Sequence, residues 1–143
     1  MCIRDSSELG RLGDSHDFID IARHEDARAI PGIAIYRPNA PLFFANAESV
    51  LGAIAERAVA SGEPVIVVSL EESADIDTTA LDALAEFDAA RQKFGQRVVL
   101  ARTHDRLRDL LIAGGLGHLA HRSTYSVADA VAEAGAGWQD SPV

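Results

Sequence analysis

Val65-Ile66-Val67-Val68 is the most informative run of residues in this chain for its architecture. Four consecutive β-branched residues are typical of a strand that is buried on both faces, as in the centre of a parallel sheet. Ser61-Gly62 and Pro64 precede the run and predict the end of a helix, because proline cannot continue one. A polar loop over residues 71–75 follows. The stretch therefore predicts a central strand between two helices.

Helical periodicity appears on both sides of this strand. Asn46 is a suitable N-cap for the first helix, and Glu48 lies in its first turn, where the helix dipole favours a carboxylate. The second helix begins near Thr79. Apolar residues recur at three- and four-residue spacing in both, which predicts one buried face on each. These faces comprise Ala47, Val50, Leu51, Ile54, Ala55, Ala58 and Val59 in the first helix and Ala80, Ala83, Leu84, Phe87, Ala90 and Phe94 in the second.

Extended and helical segments alternate along the rest of the chain. We predict further strands at residues 33–36, 42–44 and 98–101 and a short one around Leu119. A third helix includes Leu107 and ends at Gly114-Gly115, and Ser126 with Asp129 resembles a capping box that starts a last helix. This order predicts an α/β fold with a mainly parallel or mixed central β-sheet, flanked by about four α-helices.

Residues 32–134 hold all of this periodic pattern, and we interpret them as one domain. Residues 1–31 have little periodicity, so we interpret them as a linker with a short edge strand at residues 18–21. Residues 1–6 need not be native to the domain, and residues 135–143 are expected to be a flexible tail. No apolar stretch approaches the ~20 residues of a membrane span, and no signal peptide opens the chain. These features predict a soluble, cytoplasmic-type domain.

Charge and cysteine content exclude several classes of function. The chain has 13 Lys and Arg against 22 Asp and Glu, a formal net charge of −9, so it repels phosphate backbones and we expect no nucleic-acid partner. The single cysteine, Cys2, excludes an internal disulfide and a multi-cysteine zinc site. Residues 58–90 contain no Lys or Arg, whereas residues 91–108 are rich in Arg. This asymmetry indicates solvated helix faces or, as the sharper alternative, a basic face that docks onto an acidic partner.

The residue types that carry catalysis do not form a recognisable constellation. There is no Gly-x-Ser-x-Gly or His-Glu-x-x-His motif, and no phosphate-binding glycine loop follows a strand. His118 and His121 are three apart in a segment predicted as a strand, where they would point to opposite faces and could not easily share a metal. Gly114 to Gly117 follow a helix, which favours a helix C-cap at positive φ. We therefore predict no enzyme activity, catalytic residue, metal or cofactor.

The remaining candidate site is the stretch Ile76-Asp77-Thr78-Thr79-Ala80, which opens the second helix. Hydroxyl groups at such a position can satisfy free backbone N–H groups, and Thr79 with Asp82 is a weak capping-box match. The functional alternative uses the same geometry. A helix N-terminus stabilises a phosphate, and phosphorylation of a threonine there would add a charge of about −2 at an exposed interface.

Three stretches of the sequence carry a family resemblance. The first is residues 30–33 leading into residues 41–48, with Pro41-Leu42-Phe43-Phe44-Ala45-Asn46 at its centre. The second is residues 65–70 followed by residues 76–84, which include Asp77-Thr78-Thr79, and the third is residues 97–102 followed by residues 107–111 and 114–116. Together they resemble the STAS domain, the fold of sulphate transporters and anti-sigma factor antagonists. More narrowly, they resemble the cytoplasmic C-terminal STAS domain of SulP-family anion transporters. The resemblance covers about residues 9–134, and Phe-Phe-Ala-Asn is its most specific part.

The resemblance implies a regulatory and interaction domain that catalyses no reaction. The intact protein would be a proton- or sodium-coupled permease for sulphate, bicarbonate or a dicarboxylate, at the cytoplasmic face of the inner membrane. The implied partners are the transporter's own membrane domain, whose helices this chain lacks, a second copy in a homodimer, and a cytoplasmic protein. In the anti-sigma relatives a hydroxyl residue of the equivalent loop is phosphorylated, which corresponds to Thr79 here, after Asp77 and Thr78. Ala80 stands where those relatives usually have Gly, so the loop is expected to be stiffer.

Two alternative functions remain open from the sequence, as does the orientation of the Phe43 and Phe44 side chains. The chain could be a stand-alone anti-sigma factor antagonist that works by phosphorylation-controlled partner switching. It could also be a small-nucleotide-binding module with phosphates at the Thr79 helix start, although no lysine or glycine cradle is present there. Phe43 and Phe44 either form an exposed pair that favours self-association or point to opposite faces, one of them into the core.

Overall fold

The computed structural model describes residues 6–136, apart from residues 14, 16 and 74. Within these residues the chain forms one sheet of six strands and five helices, and all but one of the strands follow the order β2-β1-β4-β5-β6, with β3 paired to β1. The elements in chain order are β1 (Ser6–Leu12), β2 (Phe18–Asp20), β3 (Ala27–Arg28), β4 (Ile33–Pro38), α1 (Ala47–Ser61), β5 (Val65–Ser69), α2 (Thr78–Lys93), β6 (Arg97–Ala101), α3 (Asp105–Ala113), α4 (Gly117–His121) and α5 (Val127–Ala136).

The β-branched run lies inside the sheet, as predicted. β5 pairs in parallel with β4 on one side and with β6 on the other, while β1 pairs antiparallel with β4. The sheet is therefore mixed, with a parallel half. Ile66, Val67 and Val68 are fully buried because helices cover both faces of this strand.

The two faces of the sheet carry two separate hydrophobic clusters. Alternate strand residues point to opposite faces, so Ile66 and Val68 pack with α1 to α4, while Val67 packs with α5. The capping prediction for α5 is confirmed, since Ser126 Oγ accepts a hydrogen bond of 3.0 Å from the Asp129 amide. Gly115, which follows α3, has φ of +83°, as its predicted role after a helix end requires.

The N-terminal residues differ from the prediction of a linker. Residues 6–12, 18–20 and 27–28 belong to the sheet as β1, β2 and β3. β1 is hydrogen-bonded between β4 and β2, and Leu9 of β1 is only 3% exposed. The strand expected at residues 18–21 exists as β2, at the edge of the sheet. The sequence of β1, Ser-Ser-Glu-Leu-Gly-Arg-Leu, has too few apolar residues to show its pairing in advance. Residues 1–5 and 137–143, which include most of the expected foreign segment and flexible tail, lie outside the described residues.

Two predicted strands are not strands. The segment around Leu119 is the short helix α4, and the strand-like contact nearby is an isolated bridge from Leu100 to Ser123. Leu119 is buried against the core from the helix, which a segment of this length does not reveal by periodicity. Residues 42–44 lie in the loop before α1, whose turn is at residues 44–46. Their backbone amides bond to side chains instead of to a neighbouring strand.

Substitution of Gly10 by alanine tests whether the N-terminal strands are an integral part of the sheet. A Cβ atom on Gly10 would lie 2.7 Å from the Arg28 carbonyl oxygen and 2.8 Å from Ile21 Cγ1. We expect Gly10→Ala to lower the free energy of unfolding by about 1–3 kcal/mol, because backbone must move to admit the methyl group. Urea denaturation followed by circular dichroism measures this change.

The matched control is Gly52→Ala. Gly52 lies in α1, and a Cβ atom there meets nothing within 4 Å. The same chemical change should therefore stabilise the protein by about 0.5–1 kcal/mol through helix propensity. Wild-type stability in Gly10→Ala would mean that the strands on either side of β1 are not packed as described.

Candidate functional site

The carboxyl ends of β4, β5 and β6 lie at the same edge of the sheet, because the three strands are parallel. Loops that follow such ends are where open α/β folds usually place binding sites. The loops here are residues 39–46, 70–77 and 102–104. The predicted site residues therefore come together from two of these loops and from the start of α2.

Asp77 joins the two loops. Its Oδ1 accepts a hydrogen bond of 2.9 Å from the Ala80 amide and so caps α2, while its Oδ2 accepts one of 2.8 Å from the Phe44 amide. The N-cap of α2 is thus Asp77, and the weak capping-box match of Thr79 with Asp82 does not describe it. One carboxylate holds the start of α2 against a residue 33 positions earlier in the chain.

Thr78 and Thr79 form the first turn of α2 and are both exposed, as is Asp77. Neither threonine is needed as the side-chain cap, because Asp77 supplies it. Their hydroxyl groups therefore face solvent at the positive end of a helix of 16 residues.

Asn46 and Leu42 fix the loop that contains the aromatic residues. Asn46 Oδ1 accepts a hydrogen bond of 2.8 Å from the Phe43 amide, and Asn46 Nδ2 donates one of 2.9 Å to the Pro41 carbonyl. The predicted N-cap position is correct, but the Asn46 side chain closes the preceding turn instead of capping α1. Leu42 is fully buried, and its amide donates a hydrogen bond of 3.0 Å to the buried Ser73 hydroxyl. The loop is thus anchored to its neighbour at two points.

Phe43 and Phe44 are both exposed at the surface. Phe43 is 44% exposed and Phe44 is 70% exposed, so neither ring enters the core. Their ring centroids are 5.5 Å apart and the ring planes make an angle of 89°, the edge-to-face arrangement that aromatic pairs favour. Leu42 takes the core position instead, which leaves an exposed apolar pair beside Thr78 and Thr79.

The loop after β5 is acidic, and two arginines pair with its carboxylates. Glu71, Asp75 and Asp77 are exposed in the loop after β5. Arg102 lies 4.0 Å from Glu71, and Arg106 of α3 donates a hydrogen bond to Asp75. The hydrogen bond and the charge of Asp75 raise the pKa of the Arg106 guanidinium. Such exposed pairs contribute little stability, but they fix where positive and negative charge face a partner.

The described residues do not bring together three His, Cys, Asp or Glu side chains that could hold a metal ion. The argument from opposite strand faces was wrong for His118 and His121, because both lie in the helix α4. His118 Nε2 instead lies 3.1 Å from the buried carboxylate of Asp88 in α2, which also pairs with Arg122 at 3.2 Å. These contacts tie α2 to the α4 region and serve packing.

Sequence reasoning missed the connection between the two loops. The patterns identified Asp77 and Phe44 separately, but no periodicity marks a carboxylate that bonds an amide 33 residues away. The buried Ser73 was also missed, since a serine in a polar loop carries no sign of burial. The available signal was an aspartate directly before a helix, which indicates an N-cap.

Comparison with known proteins identifies the family to which this sequence is similar. The sequence model of the STAS domain matches residues 25–134. A probable sulfate transporter of Mycobacterium tuberculosis is 35% identical over 125 residues, which is 76% of this chain and 22% of that protein. This chain thus spans about a fifth of the length of the curated relative that it matches.

Two solved structures are similar in fold. The murine solute carrier 26 family member A9 anion transporter, in its inward-facing state, matches with a TM-score of 0.85 at 22% identity, over 94% of this chain and 23% of the transporter chain. The STAS domain of a SulP transporter from Vibrio cholerae matches with a TM-score of 0.63 at 21% identity, over 84% of this chain and 94% of its own. At these identities the likeness shows the fold. None of the helices in the described part of the chain is long and apolar enough to cross a bilayer.

Substitutions of Asp77 separate its two hydrogen bonds. We expect Asp77→Ala to lower the free energy of unfolding by about 1–2 kcal/mol, because the N-cap is lost, and to speed hydrogen exchange at the Phe44 amide. Asp77→Asn should keep most of the stability, since Asn caps as well as Asp, yet still speed exchange at Phe44, because an amide has one oxygen to accept with. Urea denaturation and amide exchange by NMR measure both effects. Slow exchange at Phe44 in both variants would contradict the described bridge.

Proposed function

Because this chain belongs to the STAS domain family, we propose that it is the non-catalytic regulatory and interaction domain of a SulP-type secondary anion transporter. It acts through protein contacts at the loop surface formed by Phe43, Phe44, Asp77, Thr78 and Thr79. The single observation that carries this proposal is the Asp77 bridge, which holds the loop of the exposed Phe43 and Phe44 against the helix start that carries the exposed Thr78 and Thr79.

A fixed surface of this kind suits recognition. Aromatic residues, phenylalanine among them, are enriched at the core of protein interfaces, and a loop that is already ordered loses little entropy on binding. Asp77 accepts two hydrogen bonds, and Asn46 accepts one and donates one, so the loop that carries the rings is ordered before any partner arrives. The surface therefore has the properties of an interface, and we propose that it binds a partner without catalysing a reaction.

The first proposed partner is the membrane domain of the same transporter, on the cytoplasmic side. The relation to a probable sulfate transporter supports this choice, and sulphate is the first anion to test, followed by bicarbonate and dicarboxylates. A second copy of the domain in the intact protein and a cytoplasmic protein are the further proposed partners.

Phosphorylation is the second proposed mode of control. Thr79 is exposed, lies at a helix N-terminus and has no capping task, so a phosphate there would be stabilised by the helix dipole. The added charge of about −2 would stand beside the aromatic pair and alter any contact made by it. The same chemistry would serve a stand-alone anti-sigma factor antagonist, which is the alternative function.

Replacement of Phe44 in the full-length transporter tests the proposed function. We expect Phe44→Ser to change the initial rate of sulphate uptake by about fivefold or more, the lower end of typical coupling between sites, because the contact surface loses its most exposed ring. The measurement is uptake of radiolabelled sulphate by cells, and a transporter that lacks residues 32–134 is assayed in parallel for comparison. Ile112→Ser is the matched control, since Ile112 is a 59% exposed apolar residue of α3. Equal uptake by the wild type, Phe44→Ser and the truncated transporter would contradict the proposal.

A phosphate on Thr79 would be found by mass spectrometry of the protein purified from its own host cells. We expect the protein to carry one phosphate, which Thr79→Val abolishes and Thr78→Val leaves in place. The reason is that Thr79 corresponds to the residue that is phosphorylated in the anti-sigma relatives. Absence of phosphate from both threonines under several growth conditions would count against this mode of control.

A further inference from the structure

A groove separates α1 and α2 on the outer side of the domain. Its cavity has a volume of about 190 Å³. A cavity of about 150 Å³ is enough to hold a benzene molecule, so this groove has room for one large apolar side chain. The residues that line it are Glu48, Leu51, Gly52, Ala55, Ala83, Glu86, Phe87, Ala90 and Arg91.

Small residues open the groove. Gly52 and Ala55 of α1 face Ala83 and Ala90 of α2, and Phe87 lies between the helices as a buried apolar wall. A Cβ atom on Gly52 would meet nothing within 4 Å, which shows that the space above this residue is open.

The groove is open at one end and closed at the other. Thr79 lies one helical turn before Ala83 on α2, so the groove opens towards the loop surface described above. The other end is closed by Arg91, which is 4% exposed and donates a hydrogen bond of 3.3 Å to the Ala55 carbonyl. An occupant therefore enters from solvent, with one end directed at the loop surface.

Charge at the rim is negative. Glu48 and Glu86 are exposed on opposite sides of the groove, and residues 58–90 contain no Lys or Arg. Arg91, the cation among the lining residues, is turned inwards with its guanidinium near the Phe87 and Phe94 rings. The rim thus attracts cationic groups, while the floor accepts an apolar one.

We propose that this groove binds a basic amphipathic helix of a partner protein, which inserts one large apolar side chain between Gly52 and Ala83 and places Lys or Arg beside Glu48 and Glu86. The proposal rests on the proposed interaction function and names the chemistry of the partner. Cytoplasmic segments next to membrane helices are rich in Lys and Arg, so the proposed transporter offers such segments.

The same charges exclude two other occupants. Two copies of this chain that met through this face would place the acidic rims against each other, at a net charge of −9 on each copy. An anionic membrane surface would be repelled for the same reason. A cationic partner is the occupant that gains from both the rim and the floor.

Peptide titration tests the proposal on this 143-residue chain. The probe is a fluorescent synthetic peptide of about 16 residues, four helical turns, with Leu at one face and Lys on its flanks. We expect saturable binding by fluorescence anisotropy and none for the peptide with Glu in place of every Lys. Gly52→Leu should weaken binding by about tenfold or more, because its side chain occupies the anchor space, while Gly52→Ala should stay within about twofold.

Two further measurements make the result decisive. The thermal midpoint of Gly52→Leu should equal or exceed that of the wild type, which separates a blocked groove from a misfolded one. Glu86→Lys should weaken binding by about fivefold or more, while Glu133→Lys, on α5 across the sheet, carries the same net charge and should stay within about twofold. Equal binding by Gly52→Leu and the wild type, or equal loss in the two charge variants, would overturn the proposal.

Peptide binding and uptake can fail separately. The titration involves no transport, so its failure leaves the result for Phe44→Ser in the full-length transporter unaffected. Unchanged sulphate uptake in Phe44→Ser would contradict the proposed function of the loop surface. Loss of peptide binding in Gly52→Leu would still identify the groove as the binding site of the basic helix.

Discussion

Burial of β5 on both faces governs how the neighbouring strands, helices and loops are arranged. A strand covered by helices on both sides favours a run of apolar residues and needs partners at both edges. Val65–Ser69 is apolar over its first four residues and has β4 and β6 as parallel partners. Parallel pairing brings three carboxyl ends to one edge. That edge receives the loops that carry Phe43, Phe44 and Asp77. The position of the proposed contact surface is thus a consequence of how the central strand is buried.

Asp77 converts this position into a fixed geometry. Its two hydrogen bonds hold the aromatic loop against the start of α2, beside the second contact between Leu42 and Ser73. With them, exposed rings and exposed threonine hydroxyl groups share one ordered surface. A phosphate on Thr79, a ring contact at Phe44 and a helix in the α1–α2 groove would all act on this surface, because the groove opens one helical turn away from Thr79. Acidic charge at the loop and at the groove rim favours cationic partners at both.

Much of the fold was predictable because its signals are local. Residues 65–68 predicted the central strand, the apolar stripes predicted α1 and α2, and Ser126 with Asp129 predicted the start of α5. The errors lie where local signals are weak. The strand β1 has a half-polar sequence whose pairing with β4 makes it a strand, and α4 has five residues, too few for a helical period to appear.

Local patterns were enough to predict the alternation of strands and helices, the resemblance to the STAS family and the residues of the candidate surface, because β-branched runs, helical periods and short motifs are properties of neighbouring residues. Which of those residues meet depends on tertiary packing. The bond from Asp77 to the Phe44 amide, the burial of Leu42 against Ser73 and the space above Gly52 each join segments about 30 residues apart. No local pattern encodes such contacts, since they follow from the packing of α1 and α2 on a shared sheet.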